Sequence, residues 1–217
     1  MFTLDDIYVY ILNWKKVSVN GLKLYQNIAP IIDNTIIINC DEYMPLTNDI
    51  PHIQLDDSHY YGSQFNHAIK HVKDGAIMCV IVGDNIPNND FEKIFQNALN
   101  TYNNFNTGVF APNDKRTAHQ GRYERFNGEL YNVANTDCGF WFIHPNIVRR
   151  LRNLDFTISK FGWGIDVIMI AEARKQNLLV LRDYAIETDQ LDHTIGYNTD
   201  SAHKYQVALE KAYNKLG

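Results

Sequence analysis

The chain has 217 residues, of which 45% are hydrophobic and 21% are charged, so wholesale disorder is excluded. The formal net charge of -5 at pH 7 argues against a nucleic-acid-binding protein, because such proteins normally carry a basic surplus on one face. The longest apolar run, residues 76–82, is far shorter than the roughly 20 residues that span a bilayer. We therefore expect one domain with no membrane span and no nucleic-acid partner.

Cysteine content and the N-terminus bear on the cellular compartment. The three cysteines, Cys40, Cys79 and Cys138, are odd in number and share no close spacing, which favours a reducing environment over a disulfide framework. Asp5 and Asp6 occupy the place where a signal peptide needs positive charge. The sequence therefore predicts a cytoplasmic protein.

The first half of the chain alternates short β-rich runs with helical patterns. Such alternation is typical of βαβ units and a mostly parallel sheet. Ser58 is the expected N-cap of the second helix. The predicted elements are strands at 7–12, 35–40, 52–55 and 76–82, and helices near 18–31, 61–72 and 91–102.

The second half opens with a polar segment, 112–127, that is predicted to be a loop. Pro145 suits the first position of a helix. No internal repeat or linker divides the chain, so we expect a single α/β domain. The remaining predictions are strands at 130–133, 138–143 and 178–181, and helices at 145–154, 165–176 and 201–216.

Common nucleotide and hydrolase motifs are missing from the sequence. It contains neither the Gly-x-x-x-x-Gly-Lys-Ser/Thr phosphate loop nor the Gly-x-Ser-x-Gly nucleophile turn. Gly162-Trp163-Gly164 is only a fragment of a dinucleotide fingerprint, because the third glycine is missing.

Polar residues follow three of the predicted strands directly. They are Asn13, Asp41 and Asp84. In an open parallel sheet, ligands bind beyond the carboxyl ends of the strands, and oxygen ligands there suit a hard divalent cation on a diphosphate. Asp and Asn are also common turn formers, so each position taken alone has a purely structural explanation.

The order of these features resembles the nucleotide-sugar-dependent glycosyltransferases of the GT-A fold, of the family 2 and β-galactosyltransferase-like types. Over roughly residues 7–200, the stretch Gly62 to Asn66 precedes a helix and then the apolar strand that ends in Gly83-Asp84-Asn85. The resemblance implies a GT-A-like, Rossmann-type, mostly parallel sheet flanked by helices. It also implies that Asn66 and Asp84 bind the nucleotide sugar. The family usually has a second acid, where this chain has Asn85, whose carbonyl remains a possible ligand.

A second block, Phe161 to Asp166, resembles the family's Trp-Gly-x-Glu-Asp element. The resemblance implies that Asp166 is the general base of an inverting reaction, taking the proton of an acceptor hydroxyl. Trp163 and Gly164 would lie against the donor sugar. The alternative is that Asp166 is an ordinary first-turn acid and Trp163 a core residue.

Two further matches complete the implied site. His193, beyond the last predicted strand, resembles the histidine that completes the family's metal shell, which makes Asp84, Asn85 and His193 the implied ligands of Mn²⁺ or Mg²⁺. Asp137 lies in a segment that resembles the support for donor sugar and acceptor. Asn13 and Asp41 would then bind the nucleoside.

These matches imply a glycosyltransferase that moves a hexose from a nucleotide diphosphate sugar, most simply a UDP-hexose, to a hydroxyl of a carbohydrate or other acceptor. A nucleotide-binding half would cover about 1–111 and an acceptor and catalytic half about 112–217. Two alternatives remain open. One is a nucleotidyltransferase acting on sugar phosphates, although the residues after the first strand, Trp14-Lys15-Lys16, lack the expected glycines. The other is a non-catalytic sugar- or nucleotide-binding relative.

Overall fold

A computed structural model describes residues 1–15, 17–88, 90–114, 121–136, 138–190 and 198–216. The helices are α1 (Ser18–Ile28), α2 (Tyr61–His71), α3 (Phe91–Asn104), α4 (Pro145–Leu151), α5 (Ile165–Lys175) and α6 (Thr199–Asn214). The strands are β1 (Ile7–Asn13), β2 (Thr35–Asn39), β3 (His52–Gln54), β4 (Ile77–Val82), β5 (Asn85–Pro87), β6 (Thr107–Asp114), β7 (Arg122–Asn127), β8 (Leu130–Val133), β9 (Phe140–Ile143) and β10 (Leu179–Gln190).

Within these residues the strands form one sheet, in the order β3-β2-β1-β4-β9-β6-β10-β8-β7, and β5 pairs with the end of β10. The first four strands are mutually parallel. β9 lies antiparallel between β4 and β6, and β10 runs parallel to β6. The expected fold class, a single α/β domain with a Rossmann-type sheet flanked by helices, is confirmed, with antiparallel strands added to its second half.

The sheet is covered by helices on both faces, and strand periodicity explains why. In β1, Ile7, Val9 and Ile11 belong to one hydrophobic core, while Tyr10 and Leu12 belong to the other, because successive side chains point to opposite faces. α1 and α3 pack on the first core, whereas α2, α4, α5 and α6 pack on the second. A strand buried on both sides reads as a continuous apolar run, which is what residues 7–12 show.

The direction of α5 follows from a close contact at Gly108, near the start of β6. A Cβ atom at Gly108 would lie 2.8 Å from the Cβ atoms of both Ala173 and Leu178, so the C-terminal end of α5 packs at the amino end of β6. α5 therefore begins at the opposite edge of the sheet, where the parallel strands end. This edge is called the carboxyl edge below.

Four details differ from the sequence-based expectations. β5 and β6 are absent from the predicted elements, and β10 runs far beyond residue 181. Part of the segment 112–127 is strand, because β6 extends to Asp114 and β7 pairs with β8. Ser58 does not cap α2; Tyr60 is the N-cap, and Ser58 donates its backbone N–H to Asp56 in a preceding turn.

The proposed division at residue 111 falls inside β6, which runs from Thr107 to Asp114 in one continuous sheet. The division into two functional halves stays a prediction. Among the described segments, every helix is too short or too polar to cross a membrane.

His144 connects helix stability to pH. Its Nδ1 atom accepts a hydrogen bond from the backbone N–H of Asn146 at 3.1 Å and caps α4. Burial, and secondly the charge of Arg149, lower the pKa of His144. The unfolded chain, with a histidine pKa of about 6.5, therefore binds the proton first as the pH falls.

We expect the free energy of unfolding to be fully retained above about pH 6.5 and to decrease below it, because protonated His144 loses an N-cap bond worth about 1 kcal/mol. Urea unfolding at pH 8 and pH 5.5 measures this. His144→Asn keeps a capping oxygen but does not titrate, so its stability should fall less over the same interval. An equal fall in both proteins would contradict the assignment.

Candidate functional site

Three amide side chains end the parallel strands β1, β2 and β3 at the carboxyl edge. Asn13, Asn39 and Gln54 are direct neighbours in the strand register. Nδ2 of Asn13 donates to Oδ1 of Asn39 at 2.7 Å, and Nδ2 of Asn39 donates to Oε1 of Gln54 at 2.8 Å. These three residues, named the amide ladder here, hold the ends of the strands at a fixed spacing.

α2 contributes a fourth amide that joins the ladder to the helical layer. Nε2 of the buried Gln64 donates to the carbonyl oxygens of Asn13, at 2.8 Å, and Ile38, at 3.1 Å. The carbonyl oxygen of Asn13 also accepts the backbone N–H of Cys40 at 2.9 Å, so Gln64 adds a second hydrogen bond to a strand end that is already paired. The first turns of α2 are thereby held against the ends of β1 and β2.

The side chain of Asn13 is enclosed by protein. Its Oδ1 atom lies so near α1 that a Cβ atom on Gly21 would come within 2.2 Å of it, and one on Gly83 within 3.4 Å. The contacts in the structure therefore give Asn13 a role in tying strands together. Its predicted contact with a nucleoside stays a prediction.

Asp41 follows β2 and is buried, with both carboxylate oxygens used. Ser18 Oγ donates to Oδ2 at 2.6 Å, and the backbone N–H of Tyr43 donates to Oδ1 at 2.9 Å. Asp41 thus joins the start of α1 to the loop after β2. Beside it, the exposed Lys15 pairs with Asp57 and lies 4.9 Å from the centre of the Tyr43 ring.

Asp84 lies in the turn between β4 and β5 and is fully buried, as is the neighbouring Asn85. The turn is fixed on two sides, because the N–H of Gly83 donates to Leu12 O at 2.8 Å and the N–H of Val82 donates to Gly139 O at 2.7 Å. The strand end therefore presents Asp84 and Asn85 from a rigid backbone at the carboxyl edge.

Three buried amide oxygens at this edge lack a hydrogen-bond partner among the described residues. One is Oδ1 of Asn13, which lies against α1. The other two are Oδ1 of Asn85, in β5, and Oδ1 of Asn113, near the end of β6. Both strands meet β10, which pairs with Asn85 through Gln190 and with Asn113 through Glu187. A buried acceptor without a partner costs free energy, so these oxygens are suited to a ligand or cation.

The side-chain oxygens of Asp84 and Asn85 are of the type that the expected cation binds. Mn²⁺ and Mg²⁺ prefer carboxylate and carbonyl oxygens, which Asp84 and Asn85 provide. No group of three His, Cys, Asp or Glu side chains that could hold a metal occurs in the described ranges. His193, the third predicted ligand, lies outside the described residues, as does Asp137. Metal binding stays a prediction.

The segment before α5 is shaped by two glycines with left-handed backbone, Gly162 (φ +85°) and Gly164 (φ +86°). A Cβ atom at Gly162 would lie 2.4 Å from the Tyr61 ring, and one at Gly164 would lie 2.8 Å from Cγ of Gln206. The glycines therefore allow close packing against α2 and α6. Ser159 Oγ donates to the carbonyl oxygen of Trp163 at 2.8 Å and closes the loop.

Asp166 lies in the first turn of α5 and is half-buried. Since α5 begins at the carboxyl edge, Asp166 is presented at the same edge as Asp41 and Asp84. A carboxylate in a first turn is favoured by the helix dipole. Its role as a base, and the donor contacts of Trp163 and Gly164, stay predictions.

Asn66, in the middle of α2, is buried and accepts a hydrogen bond through Oδ1 from the backbone N–H of Phe156 at 3.2 Å. It therefore holds the segment before α5 against α2. The hydroxyl of Tyr61 makes a second link by donating to Cys138 O at 2.8 Å, beside Gly139. The predicted sugar contact of Asn66 is untested by these bonds.

Sequence reasoning missed Ser18, Asn39 and Gln64, although each is central to the edge. Asn39 is the last residue of a β-branched run, at the same place as Asn13 in its strand, which is the signal that identifies it.

Burial raises the pKa of the nearby Cys40 thiol to about 12, so Cys40 is not a nucleophile at neutral pH.

Neither a protein-family model nor a curated protein sequence matches the chain. Solved structures, in contrast, do match the chain. GalNAc-T7 with UDP, GalNAc and Mn²⁺ aligns at a TM-score of 0.66 and 8% identity, over 96% of this chain and 49% of that chain. UDP-glucose pyrophosphorylase with UDP-glucose aligns at 0.51 and 9%, over 96% and 99%. UTP-bound UGPase from Acinetobacter baumannii aligns at 0.50 and 10%, over 97% and 100%. The fold is that of GT-A glycosyltransferases and sugar nucleotidyltransferases.

The packing of Gly162 allows a direct test of the segment before α5. Gly162→Ala is expected to lower the free energy of unfolding by about 3 kcal/mol, because the new methyl group meets Tyr61 and the positive φ disfavours any side chain. Gly75 has nearly the same φ, +82°, but no atom lies within 4 Å of the place a methyl group would take, so Gly75→Ala should cost about 1 kcal/mol. Equal losses in denaturant unfolding would refute the close contact.

Proposed function

We propose that the protein is a metal-dependent, inverting glycosyltransferase that moves a hexose from a nucleotide diphosphate sugar, with a UDP-hexose as the first candidate, to a hydroxyl acceptor. The observation that carries this proposal is the common placement of Asp84, Asn85 and the first turn of α5 at the carboxyl edge of a GT-A-like sheet. The alignment with GalNAc-T7 supports it, since it has the highest TM-score of the three structures above.

The donor would bind across the ends of β1, β2 and β4. Asp41, which is fixed by Ser18 and Tyr43, would contact the nucleoside, and Asn13 stabilises the ends of β1 and β2. The oxygens of Asp84 and Asn85 would hold Mn²⁺ or Mg²⁺ near the diphosphate. A cation there supplies charge stabilisation to the leaving diphosphate.

Asp166 would act on the acceptor. The acceptor hydroxyl oxygen forms a bond to the anomeric carbon, the bond from that carbon to the diphosphate oxygen breaks, and the diphosphate leaves with the electron pair. The carboxylate of Asp166 takes the hydroxyl proton. Attack opposite the leaving group inverts the anomeric centre. The rigid turn at Gly162 and Gly164 would hold the base at the required place.

A nucleotidyltransferase acting on sugar phosphates is the second candidate. The chain covers 99% and 100% of the two pyrophosphorylase chains but only 49% of GalNAc-T7, so its size matches the former better. Against this candidate, the connection from β1 to α1 contains only residues 14–17 and no glycine, whereas nucleotidyltransferases would normally have a glycine-rich basic loop there. The glycosyltransferase therefore remains the first choice.

The proposal extends to cellular location. Cys40 and Cys79 are buried free thiols. Free thiols are typical of a reducing compartment, which supports a cytoplasmic protein.

Replacing the base is the first test. Asp166→Asn should lower transferase turnover by about 10²–10⁴-fold while leaving the dissociation constant for UDP nearly unchanged, because general-base catalysis is lost and the donor site is intact. Nucleotide release from a panel of UDP-hexoses with and without Mn²⁺ gives the rate, and calorimetry gives UDP affinity. Glu92→Gln, in the first turn of α3 on the other face of the sheet, is the matched control and should keep full turnover.

Normal turnover in Asp166→Asn would contradict the base assignment. Donor binding with no turnover and no dependence on Mn²⁺ would instead favour the non-catalytic relative.

A second assay separates the two enzyme classes. We expect UDP-hexoses to raise the melting temperature more than UTP, and UTP with hexose 1-phosphate to release no pyrophosphate. A glycosyltransferase recognises the completed sugar nucleotide, so its affinity includes the hexose. Pyrophosphate release above that of an Asp84→Asn variant would establish the nucleotidyltransferase instead.

A further inference from the structure

Three aromatic rings from three parts of the chain meet beside the start of α5. Tyr60 and Phe161 have ring centres 5.4 Å apart, and Phe161 and Tyr205 have ring centres 5.7 Å apart, both pairs edge-to-face. Tyr60 precedes α2, Phe161 precedes α5, and Tyr205 lies on α6. These residues are named the aromatic rim here.

The aromatic rim is solvent-accessible. Tyr60 is 43% exposed, and Phe161 and Tyr205 are only partly buried. The exposed Lys160 places its ammonium group 4.4 Å from the centre of the Tyr60 ring. The cluster is therefore at the surface, where its rings and the Lys160 ammonium group can contact a ligand.

The aromatic rim is continuous with the carboxyl edge. The N–H of Gly62 donates to Lys160 O at 3.3 Å, and the Tyr61 hydroxyl donates to Cys138 O, one residue from the Gly139 carbonyl that holds the end of β4. Phe161 lies five residues before Asp166 in the segment that Gly162 packs against Tyr61. The rim therefore lies where α2 and α5 begin, at the part of the carboxyl edge that carries Asp166.

The chemistry of the rim matches a sugar ring. A pyranose has an apolar C–H face and a border of hydroxyl groups, and tyrosine combines an apolar ring with a polar end. The ammonium group of Lys160 and the tyrosine hydroxyls are available for hydrogen bonds to sugar hydroxyls. Asp166, five residues after Phe161, is the residue proposed to act on the acceptor, so the acceptor is the partner assigned to this surface.

We propose that the aromatic rim of Tyr60, Phe161 and Tyr205 is an acceptor subsite that stacks a pyranose ring, so that the acceptor is a saccharide. This inference rests on the proposed function, because the donor site and Asp166 define which side faces the acceptor. It narrows the acceptor from any hydroxyl compound to a carbohydrate.

Saturation-transfer NMR on the whole chain, with lactose, cellobiose, maltose and N,N′-diacetylchitobiose as probes, tests the subsite. At least one disaccharide should receive saturation from the unmodified protein. Tyr60→Ala should weaken its binding by about fivefold, which corresponds to roughly 1 kcal/mol for one aromatic contact. Tyr60→Phe keeps the ring and should retain binding. Tyr123→Ala removes a tyrosine that is 68% exposed on β7, and should leave binding unchanged.

Absence of saturation transfer from all four probes, or unchanged binding in Tyr60→Ala, would overturn the subsite. If Tyr60→Ala fails to fold by circular dichroism, Tyr205→Leu decides in its place, with the same expected loss. Calorimetry with UDP-glucose on the same protein separates the two proposals. UDP-glucose binding without saccharide binding refutes the rim alone, and saccharide binding without binding of any UDP-hexose refutes the proposed function.

Discussion

The amide ladder is the interaction on which the carboxyl edge depends. The last carbonyls of β1 and β2 accept backbone hydrogen bonds from Cys40 and Leu55, and beside them the side chains of Asn13, Asn39 and Gln54 continue the pairing. Gln64 then caps two of the carbonyls from α2. Asn13, Asn39 and Gln64 are buried, so the hydrogen bonds of these three amides are costly to lose and stabilise the edge.

Much of the fold was predictable from the chain because its strongest signals are long and regular. The apolar run of β4 and the helical spacing of α3 were both identified closely, since each is buried in a simple periodic way. β6 was missed because Gly108 and Pro112 interrupt its apolar pattern. β10 was underestimated because Asp183 and Glu187 flank an irregularity in its pairing, where burial no longer follows sequence alternation.

The sequence predicted where in the fold the site residues lie, but not which groups they contact. Residues after strands were expected at one edge, and Asp41 and Asp84 are there. What those residues contact was not readable, because hydrogen bonds such as that from Gln64 to Ile38 join residues 26 positions apart. The sides of Gly162 and Gly164 that lack a side chain meet Tyr61 and Gln206, which are distant in the sequence. Shape complementarity between distant elements leaves no local pattern.

The contact at Gly62 has a mechanical consequence. A Cβ atom there would lie 1.9 Å from the carbonyl oxygen of Ser159, so α2 and the segment that leads into α5 touch backbone to backbone. Two such elements move as a single body, because sliding one past the other would break the bonds at Asn66 and Tyr61 together. We therefore expect α2 and α5 to move together, so that the distance between Tyr61 and Asp166 stays nearly constant.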